Sequence, residues 1–360
     1  MNDNSNESAM EIKKACELLD TVMCMDLNLR GAAKKLYEAA RQLTGDLPLT
    51  YAAAKRIIER TNPGDVVFFL TGLLVRSPIA PSIAESDGPV GTAVLIYTMQ
   101  RALGITPIII TDKSIIHPME NVMRHAGCIR VPVGTVQKVC APGKWPTRAF
   151  ALTTMPDDAA AALAEAGRLI NVYDPAAVIS CERAGPNVFG IIHNSQGFDI
   201  SRGHCRSDQL FKAAYWKCAP RPVTVGIGDG GNELGMGNIA GSLYEWLPHG
   251  DKCRCDCGGG IIPETKCDAL ITSAVSNWGA SALAAALVIM TGNLSALAGP
   301  ELHRRLLNGA ADAGFIDSTT GEAAARTDGI DLDVHLAVAE EFAQIARAVI
   351  NRAEVVWDRK

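Results

Sequence analysis

The chain has 360 residues, 48% of them hydrophobic and 20% charged, with a formal net charge of −5. Those values describe a folded protein with room for a large core, and they exclude wholesale disorder. An acidic balance without any lysine or arginine run argues against nucleic acid and acidic membranes as partners.

Residues 1–9 are polar and read as disordered; the wider N-terminal stretch resembles neither a signal nor a transit peptide. Residues 10–60 read as helical. A helix over 29–43 stops at Gly45, and another over 51–60 ends before the turn Asn62-Pro63-Gly64. A continuous apolar run over 65–71 is the first strand, of the kind parallel sheets bury on both faces. A loop carrying Glu85-Ser86-Asp87-Gly88-Pro89 leads into a helix over 90–103, and a strand over 106–111 ends at Asp112. A helix over 118–126 and a strand over 128–133 follow. Residues 140–156, with three prolines and no period, read as a loop or joint.

A helix over 157–167 precedes a strand over 177–181 that ends at Glu182-Arg183. A hairpin-like excursion turns at Asn194-Ser195-Gln196-Gly197, and a helix over 207–217 follows it. The strand beginning at Val223 runs into Gly226-Ile227-Gly228-Asp229-Gly230-Gly231-Asn232-Glu233. The strand over 269–274 ends at Ser276-Asn277-Trp278-Gly279, which opens a helix over 280–291. This most apolar region, 267–291, is broken by that turn and reads as strand–turn–helix, not as a membrane span. The remainder is mostly helical, most clearly over 334–352. The expectation is one α/β domain over 10–360, with a mostly parallel, doubly wound sheet and helices on both faces. Its parts are helical over 10–60, an α/β core over 61–298, and helical over 299–356. Eleven cysteines, an odd number, fit reduced thiols and a cytoplasmic location.

In such folds ligands bind beyond the carboxyl ends of the strands. The polar clusters Glu85/Asp87, Asp112, Glu182/Arg183, Asp229/Asn232/Glu233 and Ser276/Asn277 all fall there, so they are expected to converge on one crevice. The Gly226–Gly231 run formally satisfies a dinucleotide fingerprint, but a carboxylate inside the phosphate nest would repel a pyrophosphate, so no nucleotide is expected. Asp, Glu and Asn oxygens instead suit Mg²⁺ or Mn²⁺. The bland alternatives stay open. Asp229 and Asn232, the Glu85/Asp87 acids and Ser276 or Asn277 are each explicable as helix caps, and Glu182-Arg183 as part of a salt bridge. Free N–H groups after Gly88 would suit a substrate carboxylate. Cys253-Arg254-Cys255-Asp256-Cys257, with Cys267, allows a zinc site, although the spacing is not the usual knuckle.

Four ordered motifs, Glu85–Gly91, Glu182–Gly185, Gly228–Gly237 and Ser276–Gly279, resemble those of the D-glutamate cyclase-like C-terminal domain family. Arg30-Gly31, Leu43-Thr44-Gly45 and Thr327-Asp328-Gly329 extend the likeness. The resemblance implies a lyase interconverting D-glutamate and 5-oxo-D-proline with loss or gain of water. It looks like a stand-alone version of the domain. On that reading Glu85, Asp87, Asp229 and Glu233 hold a divalent cation, Glu182 is the general base, and Glu182, Asp229 and Glu233 form the catalytic set. Arg183 grips the α-carboxylate, while Gly88, Asn232, Ser276 and Asn277 also bind substrate. The implied partners are a small amino acid or lactam and further copies of the chain; Asp328 has no assigned role. Two departures are visible: the 253–267 segment looks inserted, and the 194–197 turn lacks an expected basic residue. The competing readings are a metal-dependent amidohydrolase or lyase on another small acid, and a metabolite-binding protein without turnover.

Overall fold

In the computed structural model, residues 2–143, 147–217 and 220–357 are described. The helical lead-in comprises α1 (Asn2–Met23), α2 (Ala33–Gln42) and α3 (Leu49–Arg60). The first turns of α1 occupy part of the segment read as disordered. The helix expected over 29–43 begins later, at Ala33, because Asp26 accepts the backbone N–H groups of Arg30 and Gly31 and holds a turn with Leu29 at φ +57°. That turn delivers Arg30 to the cavity described below.

The central elements alternate as β1 (Val66–Thr71), α4 (Pro89–Ala102), β2 (Thr106–Ile110), α5 (Ile116–His125), β3 (Ile129–Arg130), α6 (Val136–Cys140) and β4 (Ala149–Thr153). Then come α7 (Ala159–Tyr173), β5 (Ala177–Cys181), α8 (Asp208–Trp216), β6 (Val223–Gly228), α9 (Ala240–Trp246), β7 (Ala269–Thr272) and α10 (Ser276–Thr291). The chain closes with α11 (Pro300–Asp312), the small hairpin β8 (Arg326–Thr327) and β9 (Ile330–Asp331), and α12 (Leu332–Trp357).

Two expectations need correction. The 140–156 region, of which 144–146 lie outside the described residues, contains strand β4; its run Ala149-Phe150-Ala151-Leu152 is buried. Four apolar residues between polar neighbours are too few to show a period. Conversely, the strand expected over 128–133 shrinks to the two exposed residues of β3 at the sheet edge. The mostly helical C-terminal part also contains the β8–β9 hairpin. Its Asp328-Gly329 turn has φ of +54° and +76°, as a tight type I′ connection requires.

Seven parallel strands form the sheet in the order β3-β4-β2-β1-β5-β6-β7, with helices around it: an α/β doubly wound fold. The central strands β1, β2 and β5 are buried along their whole length, as continuous Val/Ile/Leu/Phe runs demand. Helix α10 is buried through almost all its length and packs against α1, α3, α4 and α12. Chain order reverses between β1 and β5, and a doubly wound sheet opens its ligand crevice at such a point.

Candidate active site

At that switch point lies a cavity of about 680 Å³. Its acidic wall comes from the loops after β1 (Glu85), β5 (Glu182) and β6 (Asp229, Asn232, Glu233), with Asp328 from the C-terminal hairpin. Backbone pairing brings two of these loops together. Glu182 N–H donates to Ile227 O (3.1 Å), Gly185 N–H to Asn232 O (2.9 Å) and Leu234 N–H to Arg183 O (2.8 Å). The first bond extends the parallel β5–β6 ladder, and the other two form an antiparallel bridge between Ala184 and Glu233 where the glycine-rich turn folds back.

Oxygen atoms of Glu182, Asp229 and Glu233 lie within 4.8 Å of one another, as do those of Asp87, Asp229 and Asp328. Glu85 lines the same cavity but belongs to neither group. Of six non-glycine residues with positive φ among those described, Leu29, Glu182 and Asp328 form or flank this cavity. Such backbone costs about 1–3 kcal/mol per residue and gathers at functional sites.

The amide nest of the glycine-rich turn is occupied by a side chain of the turn itself. Glu233 folds back into it: Oε1 accepts from the N–H groups of Asp229 (3.1 Å) and Gly230 (2.6 Å), and Oε2 from that of Gly231 (2.8 Å). Gly231, at φ +89°, makes this tight loop feasible. The anion-binding nest is thus filled by the chain's own carboxylate. Asp229 and Asn232 cap no helix. Asn232 Nδ2 donates to His193 O (2.8 Å), and Asp229 faces a guanidinium.

That guanidinium belongs to Arg30, which reaches Asp229 Oδ2 at 3.2 Å and Asp328 Oδ2 at 3.0 Å. It stays about one-third exposed and lines the cavity. The acids around it, Asp229 foremost, raise its pKa against the opposing effect of burial. Arg76 lines the cavity too, donating to Ser318 O (2.9 Å). Asn194, Ser195, Gln196 and Phe198 of the hairpin-like excursion complete one wall.

Arg183 is not free to grip a substrate. It is fully buried, and all five donors are committed: bidentately to Asp112 (2.5 and 2.7 Å), and to Gly72 O, Cys205 O and Ser207 Oγ. Burial would raise the Asp112 carboxyl, and Arg183 outweighs it, holding Asp112 below the usual range. The pair locks the ends of β2 and β5 together, and the cations that line the cavity are Arg30 and Arg76.

Asp87, Gly88, Ser276 and Asn277 lie behind the cavity wall, where they tie two helix N-termini together. Asp87 accepts the backbone N–H groups of Ser276 (2.9 Å) and Asn277 (2.7 Å), capping α10. Asn277 Oδ1 accepts those of Gly88 (3.0 Å) and Gly91 (2.6 Å), capping α4. The capping alternative therefore holds for these residues, but each cap comes from the other helix's segment, which linear spacing cannot reveal. The Gly88 N–H is spent on these contacts and is unavailable to a substrate. At φ +89° a Cβ there would come within 2.8 Å of Cys181 O, Glu182 Cβ and Thr71 Oγ1. Ser276 Oγ donates to Glu182 Oε2 (2.6 Å), so Ser276 positions Glu182.

Electrostatically the site is overloaded with carboxyls. Burial, then Glu233, pushes Glu182 well above the usual range; burial, then Asp229, does the same to Asp328. Burial, then Asp87, raises Glu85. Burial and then Asp229 push Glu233 up to about 7 and Asp87 to about 8. Like charges this close either share protons or need a cation between them. The donors suit a hard divalent ion, because a carboxylate offers about four acceptor positions and Glu182 commits only one. Arg30 and Arg76 cannot balance five lining acids.

A family model described as D-glutamate cyclase-like, C-terminal, matches residues 19–343. Over 113 residues the chain is 37% identical to "D-glutamate cyclase, mitochondrial" of Homo sapiens. The aligned stretch covers 31% of this chain and 17% of that protein, well under two thirds of its length.

Proposed function

The chain belongs to the D-glutamate cyclase-like family, and from that membership we propose that it is a lyase interconverting D-glutamate and 5-oxo-D-proline plus water. The observation that supports this most is the convergence of Glu182, Asp229 and Glu233 at a cavity that Arg30 and Arg76 also line.

Lactam formation joins the amine nitrogen to the carbon of the γ-carboxylate and breaks one of that carbon's bonds to oxygen. Two protons leave the ammonium group, and two accompany the departing oxygen as water. Carboxyl groups with raised pKa serve both transfers, because they hold and release protons near neutrality. In this reading Glu182, oriented by Ser276, takes the amine proton, and Glu233, pinned in its nest, shapes the field around the reacting carboxyl. Arg30 receives the α-carboxylate, the role that buried Arg183 cannot fill. Asn232 orients a carboxylate oxygen. Glu182, Asp229 and Glu233 would hold a divalent cation, and Asp87 and Asp328 form a second group that shares Asp229; such an ion, Mn²⁺ or Mg²⁺, would supply Lewis-acid polarisation of the γ-carboxylate when bound.

The apolar side of the cavity, Leu73, Val75, Pro78, Ile79 and Phe198, favours one second reading. There a bulkier amino acid or lactam replaces D-glutamate in the same chemistry. Among the described residues no helix is long and apolar enough to cross a membrane. A cytoplasm-like compartment is part of the proposal, supported by ten described cysteines that all carry free thiols. Assembly into a homo-oligomer is also proposed, and sedimentation velocity tests it.

Chiral chromatography after incubation with D-glutamate, L-glutamate and each 5-oxoproline enantiomer, with and without Mn²⁺ or Mg²⁺, tests the reaction. Conversion restricted to the D series is expected. Binding without turnover under every condition would reduce the site to a metabolite sensor, and turnover of other lactams alone would support the second reading.

A further inference from the structure

A second cluster lies away from the acidic centre, on the hairpin that forms one cavity wall. His193, Cys253, Cys255 and Cys257 place four ligand atoms within 4.8 Å of one another. Cys253 Sγ is 3.5 Å from Cys255 Sγ and 3.3 Å from Cys257 Sγ. His193 Nε2 is 3.2 Å from Cys255 Sγ and 3.8 Å from Cys257 Sγ. Tetrahedral zinc with bonds of about 2.3 Å to sulfur and about 2.0 Å to nitrogen has edges of roughly 3.8 and 3.5 Å. The measured separations are close to those edges and far longer than a sulfur–sulfur bond of about 2.0 Å. His193 is fully buried, and its Nε2 faces sulfur.

We propose that this chain binds a structural Zn²⁺ through His193, Cys253, Cys255 and Cys257. Four protein ligands close the coordination sphere, as in structural rather than catalytic zinc sites, and binding expels the thiol protons. Cys267, grouped with the others in the linear reading, is not a ligand. Its thiol donates to Ala269 O (3.2 Å) beside β7, and His193 takes the fourth place. The ion joins the 253–257 loop to the hairpin, reinforcing the bond from Arg254 N–H to Gly197 O (2.8 Å). Because His193 O also accepts from Asn232 and residues 194–196 line the cavity, the zinc holds that wall in place. This proposal is independent of the reaction assigned above.

The test is the metal content of the full chain purified under reducing conditions, followed by Co²⁺ replacement. About one zinc per chain is expected, and the cobalt form should show thiolate-to-metal charge transfer with the intense visible bands of a tetrahedral centre. Cys255→Ser with Cys257→Ser should abolish zinc binding, while His193→Cys, Cys267→Ser and Asp229→Asn retain it; the last separates this ion from any cation in the acidic cavity. If the double variant fails to fold, the cobalt spectrum of the unaltered chain decides. A chain purified without zinc that also gives no tetrahedral cobalt spectrum overturns the proposal. So does undiminished zinc in a folded double variant.

Discussion

Glu182 and Arg183 are neighbours in sequence with opposite fates. The side chain of Glu182 enters the cavity from a left-handed backbone position, whereas that of Arg183 is sealed against Asp112. Replacing Arg183 by Met should cost about 3–5 kcal/mol, since Asp112 would be left as an unpaired buried charge; urea unfolding measures it. Arg30→Ala should raise KM for the proposed substrate and also lower stability, since the buried carboxyls of Asp229 and Asp328 lose their shared cation. An unchanged KM would remove Arg30 from substrate binding. Glu182→Gln and Asp229→Asn should retain the thermal transition while turnover falls by about 10²–10⁴-fold, the span of acid–base catalysis. Wild-type turnover in both would sink the catalytic assignment.

Helices α4 and α10 are fastened by reciprocal caps, Asp87 onto α10 and Asn277 onto α4. Loss of one cap typically costs about 1 kcal/mol, with an upper end near 2 kcal/mol. Asp87→Ala and Asn277→Ala should each reach that range, and the double variant should depart from their sum because the residues share one network. A strictly additive cycle in denaturant melts would show two independent caps. Gly88→Ala should destabilise more than either, since its Cβ meets backbone oxygen and the Glu182 side chain in a left-handed conformation.

The buried carboxyls make the whole molecule sensitive to pH. Glu233 rises from 4.5 to about 7 and Asp87 from 3.8 to about 8. A carboxyl raised on folding contributes stability that is complete below its unfolded value and lost as pH climbs through its folded value. Stability should therefore decline between about pH 4 and pH 8, by on the order of a few kcal/mol. Millimolar Mn²⁺ or Mg²⁺ should restore several degrees of melting temperature at pH 8 and little at pH 5, where the carboxyls hold protons. Scanning calorimetry across that range checks both; a melting temperature that rises from pH 5 to pH 8 without added metal would contradict the raised values.

The parallel sheet and most of its strands were legible in the sequence, because buried β-branched runs such as 66–71 and 177–181 admit little else. So was the gathering of acids at strand ends, since that follows from parallel topology alone. Residues 85, 182, 229, 232 and 233 indeed share one cavity. Which side chain enters that cavity was decided by tertiary structure. Arg183 found Asp112 71 positions away, Glu233 turned into its own glycine nest, and Asp87 and Asn277 exchanged caps across 190 positions. Arg30, Asp328 and His193 come from distant loops and fall outside any local spacing rule. Periodicity reports which face of an element is buried; the partner of a buried charge is set by loops that meet only after the sheet has formed.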